Sequence, residues 1–440
     1  MRVKRKLIPL LLFTGIIGLA NCKKYKTVDQ APDQTSQAKT DHGLINEGKN
    51  IFRFDSFGDE DFWSGLLHLD KAIAGAVNGG FGAGVSPRQA LAVGLKVDAE
   101  ALPAAVVEGI RSGALSLDDP AITLALLKLN AVVGVKGNFN GNSLQSIGIT
   151  CASCHSTVDN SFSPGIGKRL DGWPNRDLNV GAIISLTDNA TPIANMLHVD
   201  EPTLRSVLGS WGPGKFAAVL FMDGKALRPD GTVAANLIPA AFGLKNVNLT
   251  TYTGWGDISY WNAFVANLEM HGKGNFSDPR LNDPVKYPIA VENGFYHVTN
   301  NPDLISSKLP ALKAYQHSLD APHPPAGSYE PGAAGRGKGL FMNKAQCASC
   351  HSEHLYKNPA TQLHSASEIG IDDFESMRSP TGKYRTTPLA GLSAARSKGG
   401  YYHDGRFATL SRVIDHYNAH LDLQLTASEK KDLEEYLKSL

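Results

Sequence analysis

Two copies of the pentapeptide Cys-Ala-Ser-Cys-His, at Cys151–His155 and Cys347–His351, constrain this chain more than any other feature. Two thiols separated by two residues can reach the two vinyl groups of one haem, and the adjacent histidine then supplies an axial nitrogen to the iron. A zinc site takes four ligands of this kind, so the two motifs would have to pool theirs from opposite halves of the chain. A thioredoxin-like redox pair calls for a βαβ context, which the surrounding sequence lacks. The motifs therefore read as two covalently attached c-type haems. One is held by Cys151, Cys154 and His155, the other by Cys347, Cys350 and His351.

Cysteine accounting supports this. The chain has 5 cysteines in 440 residues, and the fifth, Cys22, follows a positive start (Arg2, Lys4, Arg5, Lys6) and an apolar run from Leu7 to Leu19. That run is shorter than the roughly 20 residues a membrane span needs, and suits a secretory signal. Leu19-Ala20-Asn21-Cys22 then reads as a lipoprotein box, with Asn21 in place of the usual small residue and Cys22 as the lipidated residue. An ordinary signal peptide or an uncleaved anchor are the alternatives, and each also exports the protein. The expected location is periplasmic and membrane-anchored through the lipid.

Composition is that of a soluble globular protein, 42% hydrophobic and 19% charged, with a formal net charge of +1. Without a basic stripe carrying interleaved aromatics, nothing points to a nucleic-acid partner. The expected fold is mainly α, with two cytochrome c-like haem domains packed together and an additional helical N-terminal segment. Residues 1–22 form the signal, and the polar stretch 23–44 a flexible tether. Residues 45–140 make a helical segment without an assigned role. Its clearest helix follows the start signal Asp118-Asp119-Pro120 and runs along Ala121–Leu127. A first haem domain spans 141–320. The Pro-rich connector Ala321–Gly327 leads to a second at 328–440, where Ala333–Met342 reads as a helix. A capping box at Thr426–Glu429 opens a last helix with Leu433, Tyr436, Leu437 and Leu440 on one side.

The segments Tyr384–Leu392 and Tyr401–Leu410, with Tyr402-His403-Asp404-Gly405 at their centre, closely resemble the bacterial di-haem cytochrome c peroxidases and the related MauG enzymes. The resemblance is good over about 340–440, fainter over 150–275, and absent over 50–140. It implies that the helix following Ala408-Thr409-Leu410 carries a ligand to the second iron. The peroxidases use methionine there and MauG-type enzymes tyrosine. In this chain the place falls at Tyr417, with His416 one residue away as the competitor and Met377 as a weaker one. An anionic oxygen ligand favours ferric and higher states. The resemblance also implies a tryptophan between the haems, at Trp255 or Trp261, and a glutamate over the reactive haem at Glu269, with His271 as an alternative distal base. The spacing from Trp255 to Glu269 is shorter than in the family. At the family's calcium positions the chain has Gly243 and Lys398-Gly399-Gly400, so calcium is expected to be absent or differently held.

Members of that family that need reductive activation carry a second histidine soon after the first motif. Here no histidine lies between His155 and His198, so the resemblance implies that the first haem keeps an open position for hydrogen peroxide. The resulting expectation is a peroxide-using oxidoreductase. Glu269 and Trp255 are its catalytic residues, and a small redox protein or the quinol chain exchanges electrons with it. A di-haem electron carrier and an oxygen-using di-haem oxygenase are the alternatives.

Overall fold

No proline interrupts the chain from Gln34 to Phe54, and these residues form α1 (Gln34–Phe54). The computed structural model describes residues 34–351, 362–392 and 397–440, with side chains from Asp41 onward. The signal region 1–22, with Cys22, and residues 23–33 of the expected tether lie outside the described residues. The remainder of that tether is helical, a correction to the sequence reading. Among the described side chains of α1, Leu44, Ile45, Ile51 and Phe52 join a hydrophobic core. Among the described residues no helix is long and apolar enough to cross a membrane.

The structure is mainly helical with small interspersed sheets, each two-stranded among the described residues. α2 (Pro120–Lys128) begins where the start signal placed it, with the Asp119 carboxylate accepting the Ala121 N–H at 2.9 Å. The hairpin β1 (Val135–Asn140) and β2 (Ser143–Ile149) comes next, turning through Gly141-Asn142 with Gly141 at φ 60°. It crosses the expected boundary at 140/141, so 45–140 is neither wholly helical nor separate from the first haem region. One hydrophobic core runs from Trp63, Leu67 and Leu69 through Ile147 to Phe264 and Ala290, joining the N-terminal segment to that region.

The first motif forms the short helix α3 (Ala152–His155). After α4 (Glu201–Trp211), α5 (Ile258–Phe264) continues into a wide π-helical turn at Val265–Glu269. α6 (Leu309–Ser318) lies against α1 so closely that a Cβ on Gly48 would sit 1.9 Å from the Ala311 carbonyl oxygen, which only glycine permits. Beyond the Pro-rich connector, α7 (Pro331–Met342), α8 (Leu410–His420) and α9 (Ala427–Lys438) enclose a further core of Phe341, Leu392, Leu410, Ile414, Leu433 and Tyr436. Thr426 and Glu429 form the expected capping box at the start of α9. From Asp41 to Leu440 the chain packs as one unit. The two regions are distinguished by their cores, and no division into two discrete haem domains is seen.

Candidate functional site

Burial and one carbonyl set the chemistry of His155. Its Nδ1 lies 3.1 Å from the Pro239 carbonyl oxygen, so Nδ1–H donates there and Nε2 is left as the unprotonated nitrogen. Burial pushes the imidazole down to about 4, so it is neutral at physiological pH. A neutral imidazole oriented through its other nitrogen is what an iron ligand requires. The segment after α3 is tied back onto the motif. The Gly172 N–H donates to the His155 carbonyl at 2.7 Å, and the Asn175 N–H to that of Cys154 at 2.8 Å.

Cys151, Cys154 and His155 line a cavity of about 300 Å³, within the range of small-molecule and cofactor pockets. Burial pushes both thiols up to about 12. The cavity wall is overwhelmingly apolar, with Ile238, Pro239, Trp255, Trp261 and Met270 facing the motif. Polar side chains enter it from Asn236, Thr253, Glu375, Ser379 and Arg385. Two thiols, one oriented imidazole and a mainly apolar lining with a few polar residues fit a covalently attached haem. Among the described residues, His155 is the only histidine that lines the cavity.

Glu269 lies in the same cavity, at the end of the π-helical turn. Such turns recur at functional sites because the wider ring displaces side chains from the regular helical register. Both carboxylate oxygens of Glu269 are buried and have no hydrogen-bond partner. With only burial acting on it, its pKa is raised well above the usual carboxylate range, which favours the protonated form. The two candidate bridging tryptophans form a pair. The rings of Trp255 and Trp261 stack with centroids 5.1 Å apart and planes at 8°, and both line the cavity. His271 does not line it. Its ring stacks on Phe62 at 3.7 Å, and burial pushes it down to about 4.

Sequence reasoning missed one whole wall. Trp63, Leu69, Ile73, Val85 and Leu95, all from the N-terminal segment without an assigned role, close the cavity. A second π-helical turn, Asp61–Leu66, carries Trp63, whose indole N–H donates to the Met270 carbonyl at 3.0 Å. The two π-helical turns are thus bonded together at the cavity. Met270, also a lining residue, drew no attention in the sequence because a lone methionine beside Glu269 looks like core.

At the second motif, Cys347–Ser349 forms a single turn and the His351 N–H donates to the Cys347 carbonyl at 2.8 Å. Burial pushes His351 down to about 4, and its Nδ1 is buried without a partner. Tyr417, on α8, packs against the same core as Cys347 and Ala348. Burial raises its pKa, as do the neighbouring Cys350 and Cys347 thiols, while the Tyr402 hydroxyl beside it acts in the opposite sense. His416 turns elsewhere. Its Nε2 lies 2.9 Å from the Ile369 carbonyl oxygen, and its ring stacks with His420. Met377 is 56% exposed. His364, overlooked in the sequence, sits beside Cys350, with Nδ1 2.6 Å from Glu368 and Nε2 2.7 Å from the Thr386 hydroxyl. At the expected calcium positions, Lys398 pairs with Asp177, and the Gly399 backbone lies against the Arg176 guanidinium.

No family model matches the chain. The methylamine utilization protein MauG of Methylorubrum extorquens is 34% identical over 89 residues, 19% of this chain. The match spans 24% of that protein's length, about a quarter. The likeness to MauG-like di-haem c-type cytochromes is distant and partial. A solved structure of hydrazine synthase from Kuenenia stuttgartiensis, pressurized with 20 bar xenon, is 18% identical with a TM-score of 0.32. That overlay covers 49% of this chain and 76% of the other.

Proposed function

We propose that the chain is an exported, lipid-anchored di-haem c-type cytochrome that uses hydrogen peroxide as an oxidant. The observation that carries this reading is the convergence of Cys151, Cys154, His155, Glu269 and the Trp255–Trp261 pair on one cavity. A haem bound there would supply an iron able to exchange electrons and to take peroxide at an open position. The chain's own residues supply the rest. The Pro239 carbonyl holds His155 in one tautomer and orientation. The N-terminal wall adds to the burial that raises the Glu269 pKa, and the protonated carboxyl would give a proton to a departing oxygen. The stacked indoles share an electron vacancy between two rings, which suits them to one-electron transfer. Tyr417, partly buried beside Cys347 and Cys350, would supply an oxygen ligand to the second iron. The electron partner is a small redox protein or the quinol chain.

Met270 favours a second reading. Its side chain lines the same cavity, and a thioether on the iron opposite His155 would give a six-coordinate electron carrier. The ferric optical spectrum separates the two. Peroxide chemistry requires a high-spin component that disappears on adding cyanide. A wholly low-spin spectrum supports the carrier.

A further inference from the structure

Arg176 is buried, 8% exposed, and its Nε and Nη1 have no hydrogen-bond partner. No carboxylate among the described residues pairs with it. Asp177, the next residue in the chain, is occupied by Lys96 at 2.7 Å and by Lys398. Lys96 is itself buried, its side chain 7% exposed. Two lysines therefore share the Asp177 carboxylate, and the Arg176 guanidinium is left without an acceptor among the described residues. A buried guanidinium with unsatisfied donors is costly unless an anion completes the site.

The location of this charge is informative. Asn175 precedes Arg176 and is bonded to the first haem motif, its N–H to Cys154 and its side-chain amide to the Ser153 carbonyl at 3.2 Å. Leu178, two residues on, lines the cavity. On the other side, a Cβ on Gly399 would lie 3.6 Å from Arg176 Nη1 and 3.1 Å from Leu237, itself a lining residue. Arg176 itself does not line the cavity; it is joined to the lining and to the Cys151–His155 motif through its neighbours Asn175 and Leu178.

Resting on the haem reading above, we infer that Arg176 is the anchor for a carboxylate of the haem held by Cys151 and Cys154, with Lys96 and Lys398 supplying the surrounding positive field. A guanidinium offers paired N–H donors matched to a carboxylate, and a lysine would offer only a point charge. The cation keeps the haem carboxylate ionised and offsets its negative charge at the iron, which raises the reduction potential.

The test is potentiometry of the whole holoprotein, following the high-spin and low-spin haems separately. Arg176→Met should lower the potential of the high-spin haem and leave that of the low-spin haem unchanged, with two haems still bound. Arg176→Lys should fall between, and it decides the matter if the Met variant does not accumulate. Unchanged potentials in the Lys variant and in any Met variant obtained would overturn the assignment. So would a shift confined to the low-spin haem, which would give the carboxylate to the other site. If added acetate shifts the wild-type potential but not that of the Met variant, the site takes a free anion and the inference is wrong. Wild-type protein without covalent haem would instead refute the function proposed above, a failure the haemochrome assay identifies independently.

Discussion

Glu269→Gln keeps the shape of the side chain on the π-helical turn and removes its exchangeable acid. Both carboxyl oxygens are buried without partners among the described residues, and burial raises the pKa well above the usual carboxylate range, so the amide is a close match in shape and in preferred charge. Folding, haem content and the spectrum of the Tyr417-side haem should therefore stay at wild-type values. The reaction with peroxide should not. A positioned acid contributes about 10²–10⁴-fold, equal to about 3–5 kcal/mol of barrier. Stopped-flow mixing of ferric protein with hydrogen peroxide reads this loss directly, with the pyridine haemochrome as the control for cofactor. An unchanged rate would refute the role of Glu269 and leave the cavity without an acid in this position. His271, stacked on Phe62 and outside the lining, would not replace it.

Tyr417→Phe should turn the second haem high-spin in the ferric optical spectrum, whereas His416→Ala should change it little, because His416 is engaged with the Ile369 carbonyl. The reverse pattern would assign the ligand to His416. Burial pushes Asp59 up to about 9, so the folded state keeps its proton to that pH while the unfolded chain, with an ordinary carboxylate, loses it near pH 4. Its stabilising contribution is thus fully present below about pH 4 and is lost as pH rises toward about 9, by up to about 1.4 kcal/mol per unit. Asp59→Asn should flatten that slope in denaturant titrations across the window, and parallel slopes would contradict the assignment. Trp63→Ala removes a buried wall residue and its bond to the Met270 carbonyl, and should cost about 3–5 kcal/mol in thermal unfolding.

What was legible in the sequence was local. The Cys-Ala-Ser-Cys-His spacing suits two thiols to one haem, so both proposed attachment motifs can be picked out without a fold. α2 and α9 were readable because Asp119 and the Thr426/Glu429 box satisfy helix termini within a few residues. The hairpin at Val135–Ile149 was missed, although Gly141-Asn142 between alternating residues marks it. The cavity wall from Trp63 to Leu95 was not legible. Its residues come from an irregular, glycine-rich stretch with neither period, and they meet His155 only through long-range packing. Glu269 and Trp255 could be placed in order along the chain, but their convergence depends on the π-helical turn, which no short pattern announces. The unpartnered state of Arg176 likewise exists only in three dimensions.

The central claim is that the haem at His155 keeps an open position facing Glu269, beside a second haem ligated by His351 and Tyr417. Electron paramagnetic resonance of the ferric protein tests it most directly. The account predicts one high-spin and one low-spin haem in equal amounts, with peroxide consuming the high-spin signal. Two low-spin signals and no reaction with peroxide would contradict it and leave a di-haem electron carrier.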